Sequence, residues 1–160
     1  MRRHDRAMAS DAEIEALLHE AQIGFLATSD ADQPYINANL YWYDSGARRI
    51  YLHTATEGRT HTNVTNNPKA CFTVAEMGTL LPADEALEFS VEYAGVVAFG
   101  RVRVVSDSEE ARHGLNGLLT KYFPDLRPGA DYRPITDGEL ERTAVYALDI
   151  EAWSGKRKAV

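Results

Sequence analysis

Residues 51–74, YLHTATEGRTHTNVTNNPKACFTV, decide how the chain is read. The stretch reads as a strand, a Gly-containing turn, a short helix from about Gly58 to Asn66, an Asn67-Pro68 break and a second strand. Thr56 is a candidate cap. The helix is rich in Thr, His and Asn, which are poor helix formers, so tertiary contacts must hold it. Its first half gathers His53, His61 and Arg59 with the hydroxyls of Thr54, Thr56, Thr60 and Thr62. A structural crossover has no need of so many donors and cations, whereas an anion such as a phosphate does. Backbone N–H groups at a helix N-terminus favour an anion, and an arginine fork adds charge-assisted bonds. On spacing alone, a solvated turn with a surface arginine accounts for these residues equally well. No GxxxxGK[ST] or GxGxxG pattern is present, so this is neither a nucleoside-triphosphate loop nor a dinucleotide fingerprint.

Upstream, residues 35–43 (YINANLYWY) alternate and pair as a hairpin with residues 49–54 across the turn Asp44-Ser-Gly-Ala. Ile36, Ala38, Leu40 and Trp42 are expected to face the core. Tyr35, Asn37, Asn39, Tyr41 and Tyr43 make the other face, read as a wet interface, a ligand wall or a plain exposed surface. Before the hairpin, Ser10 and Glu13 fit a capping box for a helix carrying Ile14, Leu17, Leu18 and Ala21. A strand over 23–28 and the turn SDADQP follow.

Downstream, a strand is expected over 69–76, a loop over 77–88 and a long strand over 89–105, with bends at Gly95 and Gly100. Ser106 and Glu109 read as a second capping box. The helix it opens buries Ala111, Leu115, Leu118, Leu119 and Tyr122, and Pro124 ends it. A loop over 126–137, a helical turn near 138–142, a last strand over 143–153 and a basic tail complete the chain. About six hairpin-linked strands and two main helices predict a mainly β, small antiparallel barrel. One domain spans 1–160, with 1–9 as a flexible tail.

The totals bound the function. A formal charge of −7 argues against a general nucleic-acid binder. No apolar run approaches the roughly 20 residues that span a bilayer. The single cysteine, Cys71, forms no internal disulfide, reads as a small buried hydrophobe and makes a reducing cytoplasm the expected location. His53 and His61 lack accompanying carboxylates or cysteines, so no metal site is expected. No GxSxG elbow is present. Trp153 and Lys156 near the C-terminus can stack on a ring and pair with a phosphate, or simply cover the barrel end and join a solvated tail.

In order and spacing, four stretches carry a resemblance: IGFLATSDADQPYINANLYWYD, IYLHTATEGRTHTNVTNNPKACFTV, FSVEYAGVVAFGRVRVV with the helix ending LLTKYFP, and the closing IEAWSGK. Together they resemble the pyridoxamine 5′-phosphate oxidase-like, FMN-binding split-barrel family, and most of all its nitroimidazole-resistance subgroup. The resemblance implies a six-stranded antiparallel Greek-key split β-barrel with flanking helices, a homodimer, and FMN in clefts between subunits. It places His53 and Thr54 against flavin and phosphate, Arg59 on the phosphate, and Thr60 where many members carry Lys. Asn39 and Tyr41 fall along the isoalloxazine ring. Trp153 and Lys156 match groups that reach the cofactor, in part from the partner subunit. Gly95 departs from the polar residue usual at its position. The function implied is an FMN-dependent oxidoreductase for a small planar or nitroaromatic-type substrate, with His53 as a catalytic candidate and a reduced nicotinamide as a possible electron donor. The alternatives are a non-catalytic flavin or haem carrier or sensor, and a deazaflavin-dependent reductase.

Overall fold

The structure, a computed structural model, describes residues 4–159; residues 1–3 of the expected tail lie outside them. Its strands are β1 (Gly24–Asp30), β2 (Gln33–Asn39), β3 (Tyr41–Asp44), β4 (Arg49–Ala55), β5 (Lys69–Leu81), β6 (Ser90–Val104) and β7 (Thr143–Lys158). Its helices are α1 (Asp11–Glu20), α2 (Arg59–Asn66), α3 (Ser108–Tyr122) and α4 (Asp137–Leu140). All strands join one antiparallel sheet in the order β2-β1-β5-β6-β7-β4-β3. The two edge strands, β2 and β3, are consecutive in sequence and separated only by Leu40. The chain therefore runs from one sheet edge to the other through a single residue. The hydrogen-bonded ladder stays open while the backbone closes it, which is a split barrel. Six strands were expected because residues 35–43 read as one; the break at Leu40 makes seven.

That run also faces the other way from the expected one. Ile36 and Leu40 are 65% and 49% exposed, whereas Tyr41 and Tyr43 are buried. The tyrosines tolerate this because their hydroxyls are satisfied. Tyr41 Oη donates to Leu18 O at 2.7 Å, and Tyr43 Oη donates to Glu15 Oε1 at 3.0 Å. An aromatic ring with a polar tip suits either face, so polarity alone assigned the alternation to the wrong side.

The main core fills the barrel with Leu26, Ile50, Leu52, Phe72, Val74, Val96 and Leu148, sealed by Leu17 and Leu18 of α1. α3 covers the opposite side of β3 and β4. It comes close there through glycine: a Cβ on Gly117 would lie 2.1 Å from the Trp42 ring, and one on Gly114 2.6 Å from Tyr51. A charged network ties the same region. Glu110 accepts from Arg103 at 2.6 Å and Arg49 at 2.9 Å, and Arg49 also binds Asp149 at 2.6 Å.

Several boundaries move. The cap of α3 is Asp107, whose Oδ1 accepts from Glu110 N at 2.8 Å, and not Ser106. A carboxylate caps well, and the shift by one residue leaves the Glu110 side chain for the arginines. At α1, Ser10 caps as expected, while the Glu13 carboxylate accepts from Ala9 N. β5 runs to Leu81 and β7 to Lys158, beyond their expected ends. The N-terminal segment is anchored by Met8 N donating to Gly155 O at 3.0 Å and by the Ala7–Lys156 bridge. Cys71 is half-exposed and not buried. No helix among the described residues is long and apolar enough to cross a membrane.

Candidate functional site

The crossover from β4 to β5 builds the site. β4 ends at Ala55, and Gly58 turns the chain with φ 130° and ψ 176°, a conformation that only glycine adopts readily. The first backbone bond of α2 is Thr62 N to Gly58 O at 3.1 Å. The N–H groups of Arg59, Thr60 and His61 precede it and have no partner within the helix. No side chain caps this end. Thr62 and Thr65 hydroxyls bond back to Gly58 O and His61 O, and buried Asn63 donates to Thr28 Oγ1 at 3.0 Å. These tertiary and local bonds hold a helix of poor intrinsic propensity.

The open end of α2 faces a groove of about 250 Å³ lined by Tyr35, Asn37, Thr54, Arg59 and Thr60, with the exposed Glu57 beside Gly58 as its one carboxylate. Asn37 Nδ2 reaches Thr60 Oγ1 and Asn39 Oδ1, both at 3.3 Å. Thr54 Oγ1 lies 3.0 Å from Tyr146 Oη, which in turn lies 3.4 Å from His61 Nδ1. Burial raises the Tyr146 pKa and keeps the phenol neutral. Arg59 is exposed and makes no ion pair among the described residues. The free donor set is one unpaired guanidinium, three N–H groups and the Thr60 hydroxyl; the Thr54 hydroxyl donates to Ala55 O at 2.7 Å and the Asn37 amide is engaged by Asn39 and Thr60. The free set suits a phosphate monoester. The groove is smaller than the roughly 300–1,000 Å³ of sites that enclose a whole ligand, so it takes the phosphate end of a larger molecule.

The structure thus brings together Asn39, Thr54, Arg59 and Thr60 of the expected residues, Asn39 through its bond with Asn37. Tyr41 does not join them: it is fully buried, and its hydroxyl is committed to Leu18. His53 lies on the opposite face of β4 from Thr54, as strand alternation requires. It opens on a separate cavity of about 360 Å³ under Leu115, Leu118 and Leu119 of α3, beside Tyr132 and Ile135. Desolvation holds its imidazole below the ordinary histidine pKa although the side chain stays exposed. Neither Trp153 nor Lys156 lines the groove. Trp153 Nε1 donates to Asp11 Oδ1 at 2.8 Å, and the Arg48 guanidinium sits 3.9 Å over its ring. Lys156 is exposed on β7, paired with Gly95 of β6.

Sequence reading put Asn37 on a candidate ligand wall without assigning it to the site, and missed Tyr146 and the inward role of His61. Asn37 shares the alternation of Asn39, which was a usable signal. Tyr146 lies 85 residues from His61 and is brought there by the β4–β7 register alone. Arg103, on the same face of β6 as Arg101, is not a free anion site: Glu110 occupies it. Among the described residues no group of three or more His, Cys, Asp or Glu could hold a metal ion.

Comparisons with known proteins bear on this geometry. The chain resembles a proposed 5-nitroimidazole antibiotic resistance protein from Bacteroides thetaiotaomicron, with TM-score 0.79 and 21% identity over 94% of this chain and 86% of that one. A flavocytochrome from Azotobacter vinelandii superimposes with TM-score 0.85 and 23% identity, over 100% of this chain and 72% of that one. The FAD and heme binding protein from Mycobacterium smegmatis gives TM-score 0.85 and 22% identity, over 97% and 74%. At these identities the likeness establishes the fold. No curated protein matches the sequence significantly. The sequence profile described as pyridoxamine 5′-phosphate oxidase matches residues 10–157, nearly the whole chain. The chain therefore belongs to the pyridoxamine 5′-phosphate oxidase family.

Proposed function

We propose that the protein is an FMN-dependent oxidoreductase acting on a small planar or nitroaromatic-type substrate, with the flavin phosphate in the crossover groove. The observation that carries this is the unpaired Arg59 beside the uncapped N-terminus of α2 and the Thr60 hydroxyl. Bound flavin would supply hydride or electron transfer, with a reduced nicotinamide as a candidate donor. The chain's own residues bind and orient. Arg59 neutralises the phosphate, the Thr60 hydroxyl and the N–H groups at the start of α2 donate to its oxygens, and Gly58 lets the backbone approach closely. Asn37 and Asn39 present amides along β2, where a flat ring leaving the groove would run. Reconstitution with FMN, in the wild type and in Arg59→Ala, tests the assignment. Loss of affinity with an intact fold supports it, and unchanged affinity removes it.

A homodimer belongs to the same proposal. The outer face of β2-β1-β5-β6 carries a cross-strand row of Ile36, Ala27, Cys71 and Phe99, flanked by exposed Phe25 and Leu40. An apolar sheet face of this breadth is unusual on a monomer. Trp153 and Lys156 would then meet a cofactor only across that interface. Light scattering at micromolar concentration tests this: a dimer is expected, and a monomer refutes it.

A second reading, a flavin or haem carrier with little turnover, is favoured by His53. A neutral, accessible imidazole at the mouth of an apolar cavity is what an axial haem ligand needs, and two of the structural neighbours above are named for haem or as a flavocytochrome. A Soret band in the purified protein would favour the carrier.

A further inference from the structure

The apolar stripe of α3 is only partly covered. Leu118 is buried, but Leu115 and Leu119 are half-buried, and with Leu118 they wall the cavity of about 360 Å³ that opens beside His53. Tyr132 and Ile135 line it from the segment that follows α3. The volume falls within the roughly 300–1,000 Å³ of sites that enclose a small molecule, and a mostly apolar wall with a few polar groups is their usual make-up.

The segment over the cavity is a loop bonded to itself. Among the described residues, the hydrogen bonds of residues 124–132 stay within 123–132. Leu126 N donates to Phe123 O, Ala130 N and Asp131 N donate to Arg127 O, Gly129 N donates to Tyr132 O, and Arg127 N donates to Asp131 Oδ2. The anchor to the body comes later, where the Arg112 guanidinium of α3 donates to Ile135 O and pairs with Asp137. A compact loop held at its ends and resting on an apolar cavity has the build of a lid.

The polar groups decide what fits beneath it. Arg133 and Glu139 pair with each other at 2.9 Å, and Glu139 also accepts from Thr136 N and Oγ1, both at 2.8 Å. The lining therefore carries no unbalanced charge to attract an ion. The Thr143 hydroxyl donates to Glu139 O at 2.9 Å. His53 makes no hydrogen bond or ion pair among the described residues. Desolvation favours its neutral form, which keeps one ring nitrogen as an acceptor. A flat ring between the imidazole, the Tyr132 phenol and the leucines gives broad contact, and a single O–H or N–H on it satisfies His53.

We propose that the cavity beneath α3 is a second ligand site, which takes an uncharged bicyclic aromatic molecule with one O–H or N–H donor directed at His53, under residues 124–136 as a lid. β4 separates it from the phosphate groove, because His53 and Thr54 point to opposite faces of the strand. The inference rests neither on the flavin nor on a dimer.

Isothermal titration calorimetry of the full chain with 2-naphthol, without added flavin, tests it. Wild type should bind one molecule per chain. Ile135→Trp fills the cavity from the lid and keeps the backbone carbonyl that holds Arg112; it should weaken binding at least about tenfold. His53→Ala, which removes an exposed side chain, should weaken it roughly two- to tenfold, the worth of one neutral hydrogen bond. Naphthalene, which has no donor, should bind wild type and His53→Ala alike. No binding by wild type, undiminished binding in Ile135→Trp, or a His53→Ala variant that loses nothing or loses naphthalene equally overturns the proposal. Displacement of 2-naphthol by saturating FMN overturns it as well, since the two sites would then be one. Haemin taken up with a Soret band that His53→Ala abolishes, in a chain that does not bind 2-naphthol, gives the cavity to the carrier reading instead. Failure to bind FMN in a chain that passes these tests counts against the flavin assignment alone.

Discussion

Replacing Arg59 by alanine separates a binding role from a structural one. The side chain is exposed, and no carboxylate or carbonyl among the described residues engages its guanidinium. The protein without ligand therefore has nothing to lose. Surface changes of this kind stay within about 0.5 kcal/mol of wild-type stability. The ligand complex loses charge-assisted bonds to a phosphate, worth about 1.5–3 kcal/mol net. At about 1.4 kcal/mol per tenfold, that is a roughly 10- to 150-fold increase in Kd for FMN. Arg59→Lys should recover part of the loss, because it keeps the charge and gives up the two-pronged geometry. Quenching of FMN fluorescence on titration measures the affinity, and thermal melts of the ligand-free protein measure the stability. Riboflavin, which has no phosphate, should bind wild type and Arg59→Ala alike. Two results refute the reasoning: an FMN affinity that does not change, or an equal loss for riboflavin.

Other outcomes follow from the same structure. Gly58→Ala should cost about 1–3 kcal/mol, because φ 130° and ψ 176° is a glycine conformation; its Cβ would meet nothing within 4 Å, so a melt near wild type contradicts the backbone assignment. Gly117→Ala drives a methyl into Trp42 and should destabilise by about 1–3 kcal/mol, with a change in tryptophan fluorescence. Glu110 is held below the ordinary carboxylate pKa, first by its bond to Arg103 and against desolvation, with help from Tyr51 and Arg49. A carboxylate with a depressed folded-state pKa stabilises above its unfolded value of about 4.3 and loses that contribution as pH falls. Urea midpoints taken at about pH 7 and about pH 4 should therefore drop more for wild type than for Glu110→Gln.

The crossover was legible because its punctuation is local. Gly58 and Asn67-Pro68 bound α2 within the sequence itself, and the residues that meet the groove from the crossover sit within a few positions of each other. The orientation of residues 35–43 was not legible. Which face of an alternating Tyr/Ile strand turns inward depends on Leu18 and Glu15 of α1 accepting from the tyrosine hydroxyls, a contact no strand pattern encodes. The cap of α3 was misplaced by one residue because Ser106 and Asp107 are both good caps and only the pull of Arg49 and Arg103 on Glu110 separates them. Tyr146 came beneath Thr54 and His61 through sheet register. The same register divided His53 from Thr54, which adjacent numbering had joined. The extended β5–β6 arm was hidden because 77–88, rich in Gly, Pro and acids, has the composition of a loop.

The crossover groove is proposed to hold a flavin phosphate. The most direct test is the visible absorbance spectrum of the purified protein after incubation with FMN and removal of free flavin. Retained flavin bands at one flavin per chain are expected, with the retained fraction sharply reduced in Arg59→Ala. A folded protein that emerges colourless, or an Arg59→Ala variant that retains flavin as wild type does, would contradict it.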